Sequence, residues 1–131
     1  MKIVILYASL LSLLYLALTF RTILLRRKLR AALGDAGDKS LQRAIRAHAN
    51  FAEYVPLALV LLVLVEGSGA SGLMVHSLGA ALLLGRLLHA LGISRVREPL
   101  PLRMVGMVLT TTCLLVSGAY LLVAFLRGVG T

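Results

Sequence analysis

Four long runs of apolar residues, separated by short polar connections, dominate the chain. The uncharged stretches cover residues 3–20, 54–65, 67–85 and 104–126. A helix needs about 20 predominantly apolar residues to cross the hydrocarbon core of a bilayer, so each run predicts one transmembrane helix. The expected helix bounds are about 3–25, 42–65, 72–93 and 102–126. No room remains for a separate soluble domain, so residues 1–131 are predicted to form a single all-α, integral membrane four-helix bundle.

Local signals add detail to the helix ends and to the packing. Residues 29–33 are expected to finish the first helix beyond its membrane-spanning segment, with Gly34 as a left-handed stop. Asp38 or Ser40 is expected to cap the second helix. Small residues such as Gly79 and Gly85 are expected to let the third helix approach its neighbours closely.

The composition agrees with the membrane class, because 60% of the residues are hydrophobic and soluble domains contain about 45–50%. The first run follows Lys2, as the apolar core of a secretory signal follows a basic residue. The run is long, lacks an Ala-x-Ala cleavage site and is followed by basic residues. We therefore expect that it is not cleaved and forms the first helix.

The basic residues fall in two of the connections. Of 14 Lys and Arg, eight lie between Arg21 and Arg46 and four lie between Arg86 and Arg103. By the positive-inside rule, these two connections face the cytoplasm and both termini face the opposite side. Membrane topology and contacts with anionic lipid headgroups therefore explain the net charge of +9. No nucleic acid partner is expected.

A polar stripe enters the second predicted helix. At about 100° per residue, Arg46, Asn50 and Glu53 (i, i+4, i+7) share one face, which we expect to look inward at protein or at a polar ligand. An ionisable group at membrane depth costs roughly 2.5–3.5 kcal/mol, so these groups need a compensating partner. Pro56 follows and predicts a bend just past Glu53.

Three further polar residues lie at the same end of the other helices. Arg86 and His89 occur at i, i+3 in the third helix, and Arg103 opens the fourth. Guanidinium groups bind carboxylates through paired, charge-assisted hydrogen bonds. One alternative is an interhelical network that joins Glu53 to Arg86 or Arg103. A single carboxylate cannot neutralise three guanidinium groups, so an exogenous anion is also expected.

Metal binding is not predicted. His48 and Glu53 lie about 140° apart on their helix, and the other histidines are more than three turns from each other. The single cysteine, Cys113, excludes a disulfide within one chain and is expected to be a small packing residue.

Three ordered motifs resemble those of a known family. They are Arg43-x-x-Arg46-Ala-His48-x-Asn50-x-x-Glu53-x-x-Pro56, then Gly85-Arg86-x-x-His89, and finally Pro101-Leu-Arg103. Together they resemble the MAPEG family, the membrane-associated proteins in eicosanoid and glutathione metabolism, over the whole chain. The Leu33-Gly-Asp-x-Gly37 turn is similar to the bacterial branch, so the resemblance implies a multi-pass protein of a bacterial inner membrane.

The resemblance also implies an assembly and an activity. It implies a homotrimer that binds glutathione as co-substrate at each subunit interface and conjugates it to lipophilic electrophiles, a microsomal-glutathione-transferase-like or peroxidase-like role in detoxification. By position, the glutathione-binding residues are those of the second and third helices: Arg46, Asn50, Glu53, Arg86 and His89. Arg103 matches the arginine that stabilises the thiolate, the catalytic role. Membrane lipids are the remaining partners that we expect.

Departures from the family pattern narrow the activity. Where the prostaglandin E synthase branch carries arginine, serine and tyrosines, this chain has Ala49, Met104, Met107 and Ile93. Isomerase chemistry is therefore not expected. A non-catalytic lipid-binding or glutathione-binding protein of the same fold is the alternative. A small four-helix exporter is a more distant one, since its proton exchange needs a carboxylate in the first helix and residues 3–20 contain none.

Overall fold

The computed structural model describes residues 2–95 and 100–128, and these form four α-helices. The helices are α1 (Lys2–Leu29), α2 (Lys39–Gly67), α3 (Gly72–Ile93) and α4 (Leu100–Leu126). Each is long and apolar enough to span a membrane, which confirms the prediction of an all-α chain with four membrane helices. The observed helices extend beyond the expected bounds of about 3–25, 42–65 and 102–126 mainly at their basic ends. There Arg26, Arg27 and Lys28 occupy the last turn of α1, where cations interact favourably with the helix dipole.

The turn between α1 and α2 differs in detail from the prediction. Asp38 caps α2 as expected, because its carboxylate accepts a hydrogen bond from the Leu41 amide at 2.8 Å. The expectation that α1 continues to Leu33 was wrong. The helix ends at Leu29, and Arg30 already has a φ of 51°. The Arg26 guanidinium donates to carbonyl groups beyond that point, including Gly34 O at 3.1 Å, and so caps the helix without a glycine.

The helices α2 and α3 occupy the centre of the subunit. Each of them packs against the three other helices, whereas α1 and α4 do not contact each other within residues 2–95 and 100–128. The seam between α3 and α4 is tight. A Cβ built on Gly85 would lie 2.9 Å from the carbonyl oxygen of Gly106, and Gly79 packs directly under the ring of Tyr7 in α1. Small residues thus let the backbones approach, as predicted for α3.

Large apolar side chains cover much of the outer surface of the subunit. The interior is built from fully enclosed aliphatic side chains such as Leu11, Leu62 and Leu82. Outside, Leu13 is 64% exposed and Phe125 is 76% exposed. Such extensive apolar exposure matches helices whose outer faces meet lipid or another subunit instead of water.

Glu66 joins two helices at the end away from the basic connections. Its carboxylate oxygens accept hydrogen bonds from the backbone amides of Ile3 at 3.2 Å and Val4 at 3.0 Å. The first amides of a helix have no partner inside that helix, and a negative charge is favourable at this position. Glu66 therefore fixes the start of α1 to the end of α2.

Candidate functional site

The centre of the candidate site is a contact that joins three helices. Nη1 of Arg86 in α3 donates to Oδ1 of Asn50 in α2 at 2.8 Å, and Nη2 lies 3.5 Å from the sulfur of Met107 in α4. The guanidinium carbon also lies 5.7 Å from the centre of the Tyr54 ring, a cation–π distance. Arg86 is only 1% exposed. The structure therefore brings Asn50 and Arg86 together, with the arginine buried and the asparagine half-buried at the surface.

The interhelical ion-pair network, one of the two alternatives, does not form around Arg86 among the described residues. Its hydrogen-bond partners are the side-chain and backbone carbonyl oxygens of Asn50 and the thioether of Met107, and no carboxylate in the part of the chain that the structure describes pairs with it. Its Nε is buried and has no hydrogen-bond partner among the described residues. Glu53 likewise pairs with neither Arg86 nor Arg103. The charge of Arg86 is stabilised by the Asn50 dipole and the face of Tyr54.

The charged residues of the polar stripe lie on the subunit surface. Arg46 and Glu53 are exposed, and Asn50 between them is half-buried. Within one subunit, the two charged members of the stripe therefore do not face the other helices. Neither of them makes a hydrogen bond or an ion pair with another residue among those described. Only Asn50 turns far enough toward α3 to reach Arg86.

Arg103 is also exposed, and it belongs to the same end of the subunit. It precedes Met107 by one turn in α4, as Arg46 precedes Asn50 by one turn in α2, so both lie about 6 Å nearer the basic connections than the Arg86 contact. The backbone of Arg103 packs on α3, because a Cβ built on Gly92 would lie 2.9 Å from the Arg103 nitrogen.

His89 does not share this exposed face. It is 3% exposed and lies in the seam between α3 and α4, where a Cβ built on Gly106 would come within 2.8 Å of the His89 Cβ. The structure thus divides the predicted set. Arg46, Glu53 and Arg103 are on the surface, Asn50 is at its edge, and Arg86 and His89 are inside.

Two arginines hold the end of α3, a role that the sequence analysis did not predict. Arg21 of α1 donates to the hydroxyl of Ser94 at 2.6 Å and to its carbonyl at 3.0 Å. Arg43 of α2 donates to the carbonyl of Ile93 at 3.3 Å. Cations stabilise the negative end of a helix dipole. The sequence contains no local signal for these long-range contacts.

An apolar groove runs between α1 and α2 on the other side of α2. Its volume is about 340 Å³. Pro56 and Ala52 line it, next to the position where a bend was predicted, and α2 remains helical through Pro56. Tyr15, which also lines the groove, stacks on His48 with ring centres 4.7 Å apart and on Phe51 with ring centres 5.3 Å apart. No motif marked this groove, because it depends on how two apolar helices pack.

Comparison with known proteins identifies the family. The sequence profile of the MAPEG family matches residues 4–123. The chain belongs to the MAPEG family. It is 47% identical over 87 residues to the inner membrane protein YecN of Escherichia coli strain K12, a match that covers 66% of each chain. The protein of the same name from Escherichia coli O6:H1 matches to the same extent. No solved structure matches this MAPEG chain.

The donor set suits an organic anion better than a metal ion. Among the described residues, no group of three His, Cys, Asp or Glu side chains could hold a metal. Cys113 is buried and belongs to the packing of α4. By contrast, two exposed guanidinium groups, one exposed carboxylate and the amide of Asn50 occur on neighbouring turns of α2 and α4. These groups can bind a ligand that carries both signs of charge.

Proposed function

We propose that this MAPEG protein is a membrane-bound glutathione transferase that binds glutathione at a subunit interface and activates its thiol toward lipophilic electrophiles. The observation that carries the proposal is the exposure of Arg46 and Glu53 on the outer face of a membrane helix. Exposed ionisable groups in a membrane helix are costly unless protein or a polar ligand covers them. In this family, glutathione and a neighbouring subunit are the expected cover.

The charges of glutathione complement those of the site. The tripeptide carries two carboxylates, one ammonium group and one thiol. Arg46 suits a carboxylate, Glu53 suits the ammonium group, and the amide of Asn50 suits a peptide group. Arg103 remains for the sulfur, because a nearby cation favours the thiolate over the thiol.

The proposed reaction needs no resident cofactor. The thiol of bound glutathione loses its proton to water, and its sulfur attacks the electrophilic carbon of a substrate dissolved in the bilayer. A carbon–sulfur bond forms, and with an aryl halide the halide leaves with the electron pair. The protein contributes by holding the thiolate at the membrane surface, beside a high local concentration of apolar substrate.

A homotrimer is part of the proposal. The outer face of α2 is uncovered in one subunit, and a closed cyclic assembly covers the same face on every copy. Native mass spectrometry in detergent should show trimers. A protein that is only monomeric would contradict the interfacial site.

Binding and activation are tested by separate variants in lipid nanodiscs. Arg46→Ala or Glu53→Gln should weaken glutathione affinity. Arg103→Leu should instead reduce the thiolate absorbance of bound glutathione and the rate of conjugation to an aryl halide, by about 10- to 1,000-fold. A wild-type protein that neither binds glutathione nor conjugates it would refute the proposal.

The groove between α1 and α2 favours one alternative, a non-catalytic lipid-binding role. It is lined mainly by apolar residues such as Leu11, Val55 and Leu59, which suit a hydrocarbon chain. Under this alternative, lipid copurifies with the protein and Leu59→Trp, which fills the groove, removes it. The transferase proposal predicts that glutathione binding survives the same change.

A further inference from the structure

Arg86 is enclosed beneath the exposed polar face and does not belong to it. Its guanidinium group is surrounded by Asn50 and Tyr54 of α2 and Met107 of α4, and the residue is 1% exposed. A ligand on the outer face of α2 approaches Asn50 first. Any effect of Arg86 on such a ligand must therefore pass through its neighbours or through its charge.

The contact between Arg86 and Asn50 has a direction. Arginine has only hydrogen-bond donors, whereas the asparagine amide has an acceptor oxygen and a donor NH2 group. Asn50 must therefore turn its oxygen toward Arg86, as the 2.8 Å contact shows. The NH2 group then points away from Arg86, and its two donors have no partner among the described residues. An asparagine that is half exposed without such a partner can present either end of its amide.

We propose that Arg86 is a positioning residue, which fixes the amide of Asn50 so that its NH2 group donates to a peptide carbonyl or carboxylate of glutathione. This inference rests on the proposed function and assigns Arg86 a role different from direct ligand contact. Arg86 can act on a bound ligand in two ways: it can orient the amide of Asn50, or its charge can attract an anion directly. The proposal assigns it the first of these roles.

The first experiment needs no ligand. Asn50 is the only asparagine in the sequence, so selective 15N labelling gives one side-chain amide in the NMR spectrum. Arg86→Met keeps an unbranched side chain next to Met107 and removes the charge. The Asn50 amide signals should shift, and their exchange with water should speed up. Arg95→Met is the matched control, because Arg95 is exposed near the end of α3, and it should leave the signals unchanged. Unchanged signals in Arg86→Met would overturn the proposal.

The second experiment is a double-mutant cycle on glutathione affinity in nanodiscs. Arg86→Met should raise Kd about 3- to 10-fold, since binding must then order a free amide. Asn50→Ala should raise it about tenfold through the lost hydrogen bond. In the Asn50→Ala background, Arg86→Met should add less than a factor of two. A full additional loss in that background would show that Arg86 acts by contact or by charge, and would overturn the proposal.

A third variant tests the proposal where Arg86→Met is poorly folded. Asn50→Asp keeps the acceptor for Arg86 and replaces the NH2 group by an oxygen, so the helix contact persists while the donor is lost. Glutathione affinity should fall at least tenfold with no loss of thermal stability. Unchanged affinity would overturn the proposal. If wild-type protein binds no glutathione, the proposed function fails, whereas a failure of the positioning role alone appears as normal wild-type binding with an additive cycle.

Discussion

Gly106 lies in the seam between α3 and α4 and has no room for a side chain, so we predict that even alanine at this position disturbs the packing. A Cβ at this position would lie 2.6 Å from the carbonyl oxygen of Gly85, 2.6 Å from the backbone nitrogen of His89 and 2.8 Å from the His89 Cβ. Favourable contacts need about 3.5 Å or more, so the helices must separate by roughly 1 Å. Two of these three atoms belong to the backbone, and no change of rotamer relieves the overlap.

Gly106→Ala should therefore destabilise the protein by about 2 kcal/mol, within the range for overpacked cores. Gly118→Ala is the matched control in the same helix, since a Cβ there meets no described atom within 4 Å. The control should be neutral or about 0.5–1 kcal/mol more stable, because alanine favours a helix over glycine. The free energy of unfolding is measured by circular dichroism during detergent-induced unfolding in mixed micelles. Equal stability of the two variants would refute the close packing of α3 on α4.

Three further predictions concern the ends of the helices. Glu66→Gln removes the charged carboxylate that accepts hydrogen bonds from the first amides of α1, so it should lower the free energy of unfolding and speed hydrogen exchange at the Ile3 and Val4 amides. Unchanged hydrogen exchange at these two amides would contradict this contact. Arg21→Met should expose the end of α3 and speed exchange at its last amides, whereas Arg127→Met, near the opposite end of the subunit, should not. A reporter that is active only in the cytoplasm should be inactive at the C-terminus if the basic connections are cytoplasmic, and an active reporter would reverse the topology.

The sequence was sufficient to predict the helices because bilayer thickness and helix geometry leave few choices for a run of apolar residues. The cap at Asp38 and the close packing of small residues in α3 were predicted as well, because both depend on residue type and local position along the helix. The end of α1 was not, because Arg26 caps it through carbonyl groups that follow the helix. Side chains that act several residues away are not visible in a local propensity.

The polar stripe of α2 shows where the prediction of the site stopped. The helical period places Arg46, Asn50 and Glu53 within about 60° of each other, but it does not specify the rotation of α2 against its neighbours. The observed rotation turns Asn50 to Arg86 and leaves the two charged residues outside. The contacts of Arg21 and Arg43 with the end of α3 depend on the same long-range packing. The sequence pattern shows which residues share this face of α2, but only the fold shows how the face is oriented relative to the neighbouring helices.

The structure connects the helix packing to the orientation of the candidate site through α3. Gly85 sets how closely α4 approaches α3, and the next residue, Arg86, reaches Asn50 on one side and Met107 on the other. A wider seam would therefore move Met107 away from Arg86 and would also shift Arg103, one turn earlier in α4. Bulky residues in the seam would thus disturb the exposed polar groups even though they touch none of them. Because a misplacement of about 1 Å can cost a factor of about 100 in rate, close packing in this region is as important for the proposed chemistry as the charged residues.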